Sequence, residues 1–570
     1  MRSLSRDARF ALYLAALSLI GLTLILITTS KYGAGVSSDA ARNLSTANSL
    51  LQGKGFVDML GAPFVLWPPL YPLVMAGLSL LTRLNTFDTA WYLNVLLYAV
   101  NIWLAGWLLY RTFPEKPFFA AAGALILLLS RSTLRIYANV ASEPLFGTFL
   151  LLFFFAAARY LKATPSCLWP PPPNSHTGPS RMFVLQANLG EAGGGGIFAA
   201  HRSRPSAEDD GAEGVIWWMF ILAGLAMLQR YLGVALFGVA FAAAFYKERW
   251  RGLLKALLPA LVCAMPIGIW AVVHNIPLSG SPFGPRDLGE MLPLENISLS
   301  LTKILWWFIP RLSFTDPFLL RPWTVLAAIV VLLIIINKRQ DWLDWLRALS
   351  NRYVWPSLAF SVVYFFLLAF TVVTADHLDL TSDRYYVVIL PGVLALIFIT
   401  VDKLVLSHFR TDSCIQTYAL PVVLLIWLAY PVYSMQGYLR EALARGEPTN
   451  YNIANSAAFH EMGVVRAAAP ILAQDANAPV YSNYVNIVWF LFRHPVRTLP
   501  FEDQTLSREQ RIAALPKNYP NWPPERGYIV WFTPNQYHHI AAPDELGTIA
   551  NLKLLYSDKT GEIYYVEGKK

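Results

Sequence analysis

The chain has 570 residues, of which 55% are hydrophobic and only 14% charged, and a net charge of +9; its mean hydropathy is +0.43. Soluble domains carry about 25% charged residues, so this deficit excludes an ordinary soluble enzyme, a disordered chain and a nucleic-acid binder built on a basic surface. The apolar residues gather in runs of about 17–25, the length that crosses a bilayer, and the chain reads as a multi-pass membrane protein.

A basic start (Arg2, Arg6, Arg9) leads into the apolar run Phe10 to Ser30. The run is long for a signal peptide and has no small-residue cleavage site, so it reads as a retained first helix. About eleven spans are expected, over 10–30, 89–110, 117–134, 139–161, 215–230, 231–246, 253–274, 323–337, 354–373, 385–402 and 417–435. The fifth and sixth are short enough to be one broken helix. With the N-terminus in the cytoplasm, the turns 111–116, 159–162, 247–255, 338–352 and 402–412 face inward. Four of these five turns carry the Lys/Arg excess of cytoplasmic loops. The loop 31–88, the loop 275–322 and the C-terminal segment then lie outside a plasma (inner) membrane.

Residues 162–214, with Pro170–Pro173, Gly193–Gly196 and the acidic Glu208, Asp209 and Asp210, have a composition that cannot bury a core. They are expected to be a disordered cytoplasmic insertion within a transmembrane domain of residues 1–435. Over 436–570 the pattern changes to short β-like runs at 479–482, 495–499, 528–532, 552–556 and 562–566. The last two flank a turn at Ser557–Gly561. The fold class is therefore an α-helical polytopic membrane protein with a small C-terminal extracytoplasmic α/β domain. Cys167, Cys263 and Cys414 are too far apart for a Cys-x-x-Cys motif, so neither a disulfide framework nor a thiolate metal site is supported.

The first outer loop reads Val36-Ser-Ser-Asp39-Ala-Ala-Arg42, continues to Gly53-Lys-Gly55-Phe56, and reaches Trp67-Pro68-Pro69-Leu70-Tyr71-Pro72. Asp39 opens an amphipathic stretch whose Leu44, Ala47 and Leu51 suit an interfacial helix. Its carboxylate either accepts a proton at the membrane surface or simply caps that helix.

This order of motifs resembles the GT-C superfamily of polyprenyl-phosphate-dependent glycosyltransferases, nearest the protein mannosyltransferase and lipid A aminoarabinose transferase-like branches. The resemblance covers about 10–435 and is strongest over 36–82. It implies that Asp39 is the catalytic base, that the donor is a polyprenyl-phosphate sugar, and that transfer inverts the anomeric carbon. The acceptor is then a lipid, a glycan or a protein. One departure is Trp67, where aminoarabinose transferase-like members often place Lys.

Further residues follow that pattern. Glu143, in Ala141-Ser-Glu143-Pro144, is either a second acid at the active site or a favourable helix-start acid. Arg131 and Arg135 lie in an outer turn, against the positive-inside trend, and either hold a phosphate or form simple ion pairs. Arg230 interrupts an apolar stretch at the outer face, where an arginine needs an anionic partner or snorkels to the headgroups. The stretch Trp270-x-x-x-His274-Asn275 with Gly280, Gly284 and Arg286 resembles a Trp-x-x-Arg-Asn…Gly-x-Arg element of bacterial relatives, with one extra residue after the Trp. Residues 297–313 read as an interfacial amphipathic helix.

Arg384, in Asp383-Arg384-Tyr385, is a further phosphate clamp. The assignment is thus Asp39 and Glu143 catalytic; Arg230, Arg286, Arg384, Arg131 and Arg135 on the donor phosphate; and Arg42, Tyr71, Gln229, Tyr231, His274 and Tyr385 on substrate. Asp376, His377, Asp379 and Asp383 match no firm metal-ligand spacing, so no cofactor is expected, with a divalent metal as the alternative. Loop counting alone puts these residues on one face. A transporter or flippase is the alternative, and would show polar breaks near mid-bilayer and two related halves.

Overall fold

The computed structural model describes residues 4–163, 207–285, 301–302, 304, 307–308, 322–374, 382–408, 420–448, 452–501, 506–533 and 539–569. Arg286, Asp376, His377, Asp379, Cys167, Cys414 and most of 297–313 lie outside the described residues, as does most of the expected insertion (164–206). The helix Ala207–Gln229 begins within the stretch read as an insertion.

Among the described residues, seven helices are long and apolar enough to cross a membrane, or eight if one bent pair forms a single span. Shorter apolar helices stand at Leu70–Thr82, Gly214–Gln229, Leu326–Ile336 and Trp355–Thr371, which is why a count of about eleven does not carry over directly. The expected span 117–134 is the bent pair: Pro117–Leu129 and Arg131–Tyr137 meet at 55°. Ser130 stands at the joint and caps the second helix by accepting from the Thr133 N–H. The expected span 417–435 continues as one helix, Leu420–Arg445.

Small residues let the helices approach closely. Arg6–Thr28 packs on Thr86–Thr112, and a Cβ at Gly21 would lie 2.6 Å from Ile102, one at Gly106 2.5 Å from Leu14. A single apolar core continues from these helices into the C-terminal sheet through Val480, Val530, Phe532 and Ile563.

That sheet has five strands: β1 (Val480–Ser482), β2 (Val496–Thr498), β3 (Gly527–Phe532), β4 (Ala550–Asp558) and β5 (Gly561–Gly568), in the order β2-β1-β3-β5-β4. β1 pairs parallel with β2 and β3, and β5 pairs antiparallel with β3 and β4. The strands fall where the β-like runs stood in the sequence. The β4–β5 turn is held by Asp558, whose Oδ1 accepts from the N–H groups of Thr560 and Gly561.

Candidate active site

Helix Ser38–Leu51 is capped by Ser37, whose side chain accepts from the Ala40 N–H at 3.1 Å. Asp39 is therefore not the cap. It sits in the first turn, where the helix dipole favours a carboxylate, and its Oδ2 accepts from Nη2 of Arg384 at 2.6 Å. The loop before this helix is fixed against the segment that precedes Glu143. Gly35 N–H donates to Ala138 O at 2.9 Å and Val140 N–H to Gly35 O at 2.8 Å.

Arg384 continues to Glu143, with Nε 3.3 Å from Oε1. The same Oε1 lies 2.6 Å from Nη1 of Arg230. Four elements thus deliver a chain of alternating charge, Asp39–Arg384–Glu143–Arg230, that is neutral overall. Its members differ in access: the Asp39 side chain is 32% exposed and that of Glu143 only 6%. Glu143 occupies the first turn of Glu143–Tyr160 with Pro144 beside it. It is thus a helix-start acid and also the partner of two guanidinium groups.

Arg230 owes its position to a break. Its backbone is extended (φ −152°, ψ 132°) between Ala207–Gln229 and a tight turn over Tyr231–Gly233. The turn fits only a glycine at 233, because a Cβ there would lie 2.4 Å from the backbone of Ala226 and Met227. The two apolar stretches are thus separate helices that pack on each other. Gln229 Nε2 donates to Ser142 O at 3.0 Å and Arg230 Nη1 to Ser142 Oγ at 3.1 Å, which fixes the break against the start of the Glu143 helix.

Two groups of expected residues stand one layer out. Asp383 accepts from Ser132 Oγ at 2.8 Å and pairs with Arg135 at 3.5 Å, so Arg135 holds the residue next to Arg384. Arg131 lies over the Tyr438 ring at 5.8 Å. Neither is a member of the alternating chain. On the other side, Asn275 Nδ2 donates to Tyr231 Oη at 3.1 Å, and the His274 ring stacks on Trp270 at 3.9 Å. The backbone over Trp270–Asn275 is π-helical. A π turn holds one more residue than an α turn, which accommodates the extra residue after Trp270. Gly284 seats the following turn on Val65, at a distance where a Cβ would meet Val65 O at 2.9 Å.

Arg42, one helical turn beyond Asp39, lies over the Trp67 ring at 5.5 Å. Tyr71 is buried within electrostatic reach of Glu143, and the Tyr385 ring lies under the Arg384 guanidinium at 5.1 Å. A cavity of about 40 Å³ beside Glu143, bounded by Tyr98, Asn101, Tyr137 and Pro391, is of the size that holds a water and is too small for a lipid tail. Among the described residues, no three His, Cys, Asp or Glu side chains gather as metal ligands.

The sequence reading missed the clasp after the last apolar helix. Asn455 Nδ2 donates to the carbonyls of Tyr32 and Ala34, and the Val36 N–H donates to Asn452 Oδ1 at 3.1 Å. The signal was two Asn residues three apart, which in sequence read only as loop composition.

No protein-family model matches the chain, and no curated protein matches it in sequence. Solved structures do. ArnT from Cupriavidus metallidurans in the apo state superimposes with a TM-score of 0.55 at 14% identity, over 98% of both chains. The chain has the GT-C fold. The same ArnT bound to undecaprenyl phosphate gives a TM-score of 0.52 at 13% identity, again over 98% of both chains. The archaeal oligosaccharyltransferase AglB from Archaeoglobus fulgidus, in complex with an inhibitory peptide and a dolichol-phosphate, gives 0.51 at 11% identity, over 100% of this chain and 75% of that one. At these identities the likeness is one of fold, and the GT-C fold is what the motifs around Asp39 and Trp67–Pro72 implied.

Proposed function

We propose that the protein is an inverting membrane glycosyltransferase. It moves a hexose or pentose from a polyprenyl-phosphate donor to a lipid, glycan or protein hydroxyl at the outer face of the plasma (inner) membrane. The observation that carries this reading is the chain Asp39–Arg384–Glu143–Arg230, with a half-open carboxylate at one end and two arginines locked on a buried acid. The fold's likeness to ArnT bound to undecaprenyl phosphate supports a lipid-phosphate donor.

The chemistry follows from the charges. As the C1–O bond to phosphate breaks, negative charge grows on the leaving lipid phosphate. Arg384 and Arg230 are planar donors suited to phosphate oxygens, and their stabilisation counts most where that charge develops. The acceptor oxygen forms the new bond to C1 from the opposite side, and its proton passes to Asp39. In the resting site Arg384 occupies the Asp39 carboxylate. A donor phosphate that draws Arg384 toward itself frees Asp39 to act as base, so donor binds before acceptor. Glu143 orients both arginines. The scheme gives no metal a part.

The test is transfer from radiolabelled polyprenyl-phosphate sugars to membrane acceptors by wild type and Asp39→Asn. General-base loss typically costs about 10²–10⁴-fold, so transfer should fall by at least ~100-fold while donor binding persists. Equal transfer by both proteins would remove Asp39 from the chemistry.

A further inference from the structure

The C-terminal sheet buries one face against the helices and carries a separate core on the other, built on Tyr481, Ile529, Trp531 and Val566. On this second face, away from the alternating charge chain, lies a cleft of about 400 Å³, within the range of small-ligand sites. Its walls are β2 with the residues that follow it and the segment 519–524.

The cleft is built rather than accidental. Tyr519 Oη accepts from the Phe501 N–H at 3.0 Å and donates to Phe501 O at 3.2 Å, tying the two walls together. Tyr481 Oη donates to Glu525 O at 2.9 Å, and its ring meets Trp522 edge to face at 5.5 Å. Pro500, Pro520 and Pro524 stiffen the rim, since proline fixes its own backbone torsion. Within this frame Phe501 remains 49% exposed, and the Arg497 side chain 44% exposed. The indole nitrogen of Trp522 is buried with no hydrogen-bond partner among the described residues.

We propose that this cleft binds sugar rings of a glycan. A pyranose presents apolar C–H faces and a rim of hydroxyls. Phe501 and Tyr519 offer aromatic surface for the faces, and Arg497, Thr498 and Asn521 offer hydrogen bonds to the hydroxyls. The Arg497 charge is shared with Glu525 at 3.5 Å, so the cleft is not built to neutralise an anion. A glycan is the occupant that fits this lining; that it is the acceptor rests on the transferase reading, and sugar binding itself does not.

The experiment is saturation-transfer NMR on the full-length protein in nanodiscs, with chitotetraose, mannotetraose and arabinotetraose as probes and an octaproline peptide beside them. At least one sugar should receive saturation at its ring C–H protons. Arg497→Ala and Phe501→Ala should each weaken that sugar at least tenfold, and Asp39→Asn should leave its binding unchanged. Both cleft positions are half-exposed, where substitutions are tolerated, and unshifted melting of either variant establishes that its fold is intact. The proposal is overturned if no sugar binds, if both folded cleft variants bind like wild type, or if Asp39→Asn abolishes binding, which would place the sugar in the active site. Saturation of octaproline alone would overturn it in favour of an extended peptide. Transfer to small acceptors by Arg497→Ala is a separate readout, so failure here and failure of the transferase reading stay distinct.

Discussion

Glu143 is where the stability of the site concentrates. A buried carboxylate shared by two guanidinium groups is costly to disturb, because removing one partner strands the charges that remain. Such losses run to about 3–5 kcal/mol. Glu143→Gln is therefore expected to lower the melting temperature markedly and to abolish transfer, whereas Asp39→Asn, at the open end, should melt near wild type and lose transfer alone. Thermal melting of the two variants beside donor-transfer rates makes the comparison. A Glu143→Gln protein that melts like wild type but is inactive would move the proton-accepting role from Asp39 to Glu143. The four charged residues were legible in the sequence, because each interrupts or borders an apolar helix where a charge needs a reason. Their pairing was not: Asp39 and Arg384 are 345 positions apart, and spacing carries no information at that range. For the same reason the sequence left Arg131 and Arg135 open between phosphate binding and simple ion pairing; Arg135 is paired with Asp383, and Arg131 lies over the face of Tyr438.

At the scale of elements, the site depends on how the first outer loop is pinned. Gly35 lies where a Cβ would come 2.1 Å from Asn139 Oδ1 and 2.8 Å from Glu447 Oε2. Gly35→Ala should push the Asp39 helix away from the start of the Glu143 helix. Forced overpacking costs about 1–3 kcal/mol, so the expected result is a lower melting temperature with transfer reduced far more than donor binding. The clasp that holds the same loop is pH-sensitive. His460 stacks on Tyr32 at 4.6 Å and donates from Nε2 to Asn455 Oδ1 at 2.9 Å, and burial pushes its pKa below the ordinary 6.5. The unfolded chain thus binds the proton at a higher pH than the native one, and stability falls as pH drops from the unfolded value through the native value. Melting at pH 7.5 and 5.5 should show this loss, and His460→Gln should flatten it. The strands were legible as short β-like runs and most of the long helices as apolar runs. The break at Ser130 falls inside the span expected over 117–134, although Ser130, Arg131, Ser132 and Thr133 interrupt its hydropathy. The π turn at Trp270–Asn275 was legible only as one residue too many.

At the scale of the whole molecule, three helices carry a member of the charge chain near one end and basic residues near the other. Glu143 begins Glu143–Tyr160, and Arg159 and Lys162 end it. Arg230 precedes Val234–Glu248, and Lys247, Arg249 and Arg251 close it. Arg384 opens the span Asp383–His408, and near its far end Asp402 pairs with Lys116 and Lys403. At 1.5 Å per residue, the 15-residue helix Val234–Glu248 alone separates its two ends by about 22 Å, most of a hydrocarbon core. The Lys247 ammonium lies over the Tyr160 ring at 4.2 Å, so two of these basic ends meet at one level. Positive charge collects on the cytoplasmic side, so the proposed topology predicts the charge chain on the opposite side. The measurement is cysteine labelling in intact cells, in a background where Cys167, Cys263 and Cys414 are replaced. An impermeant maleimide should label Lys553→Cys, on the exposed strand β4, and spare Arg251→Cys until the membrane is opened. The reverse pattern would put the site in the cytoplasm, where a polyprenyl-phosphate sugar would have to be used on the inner leaflet.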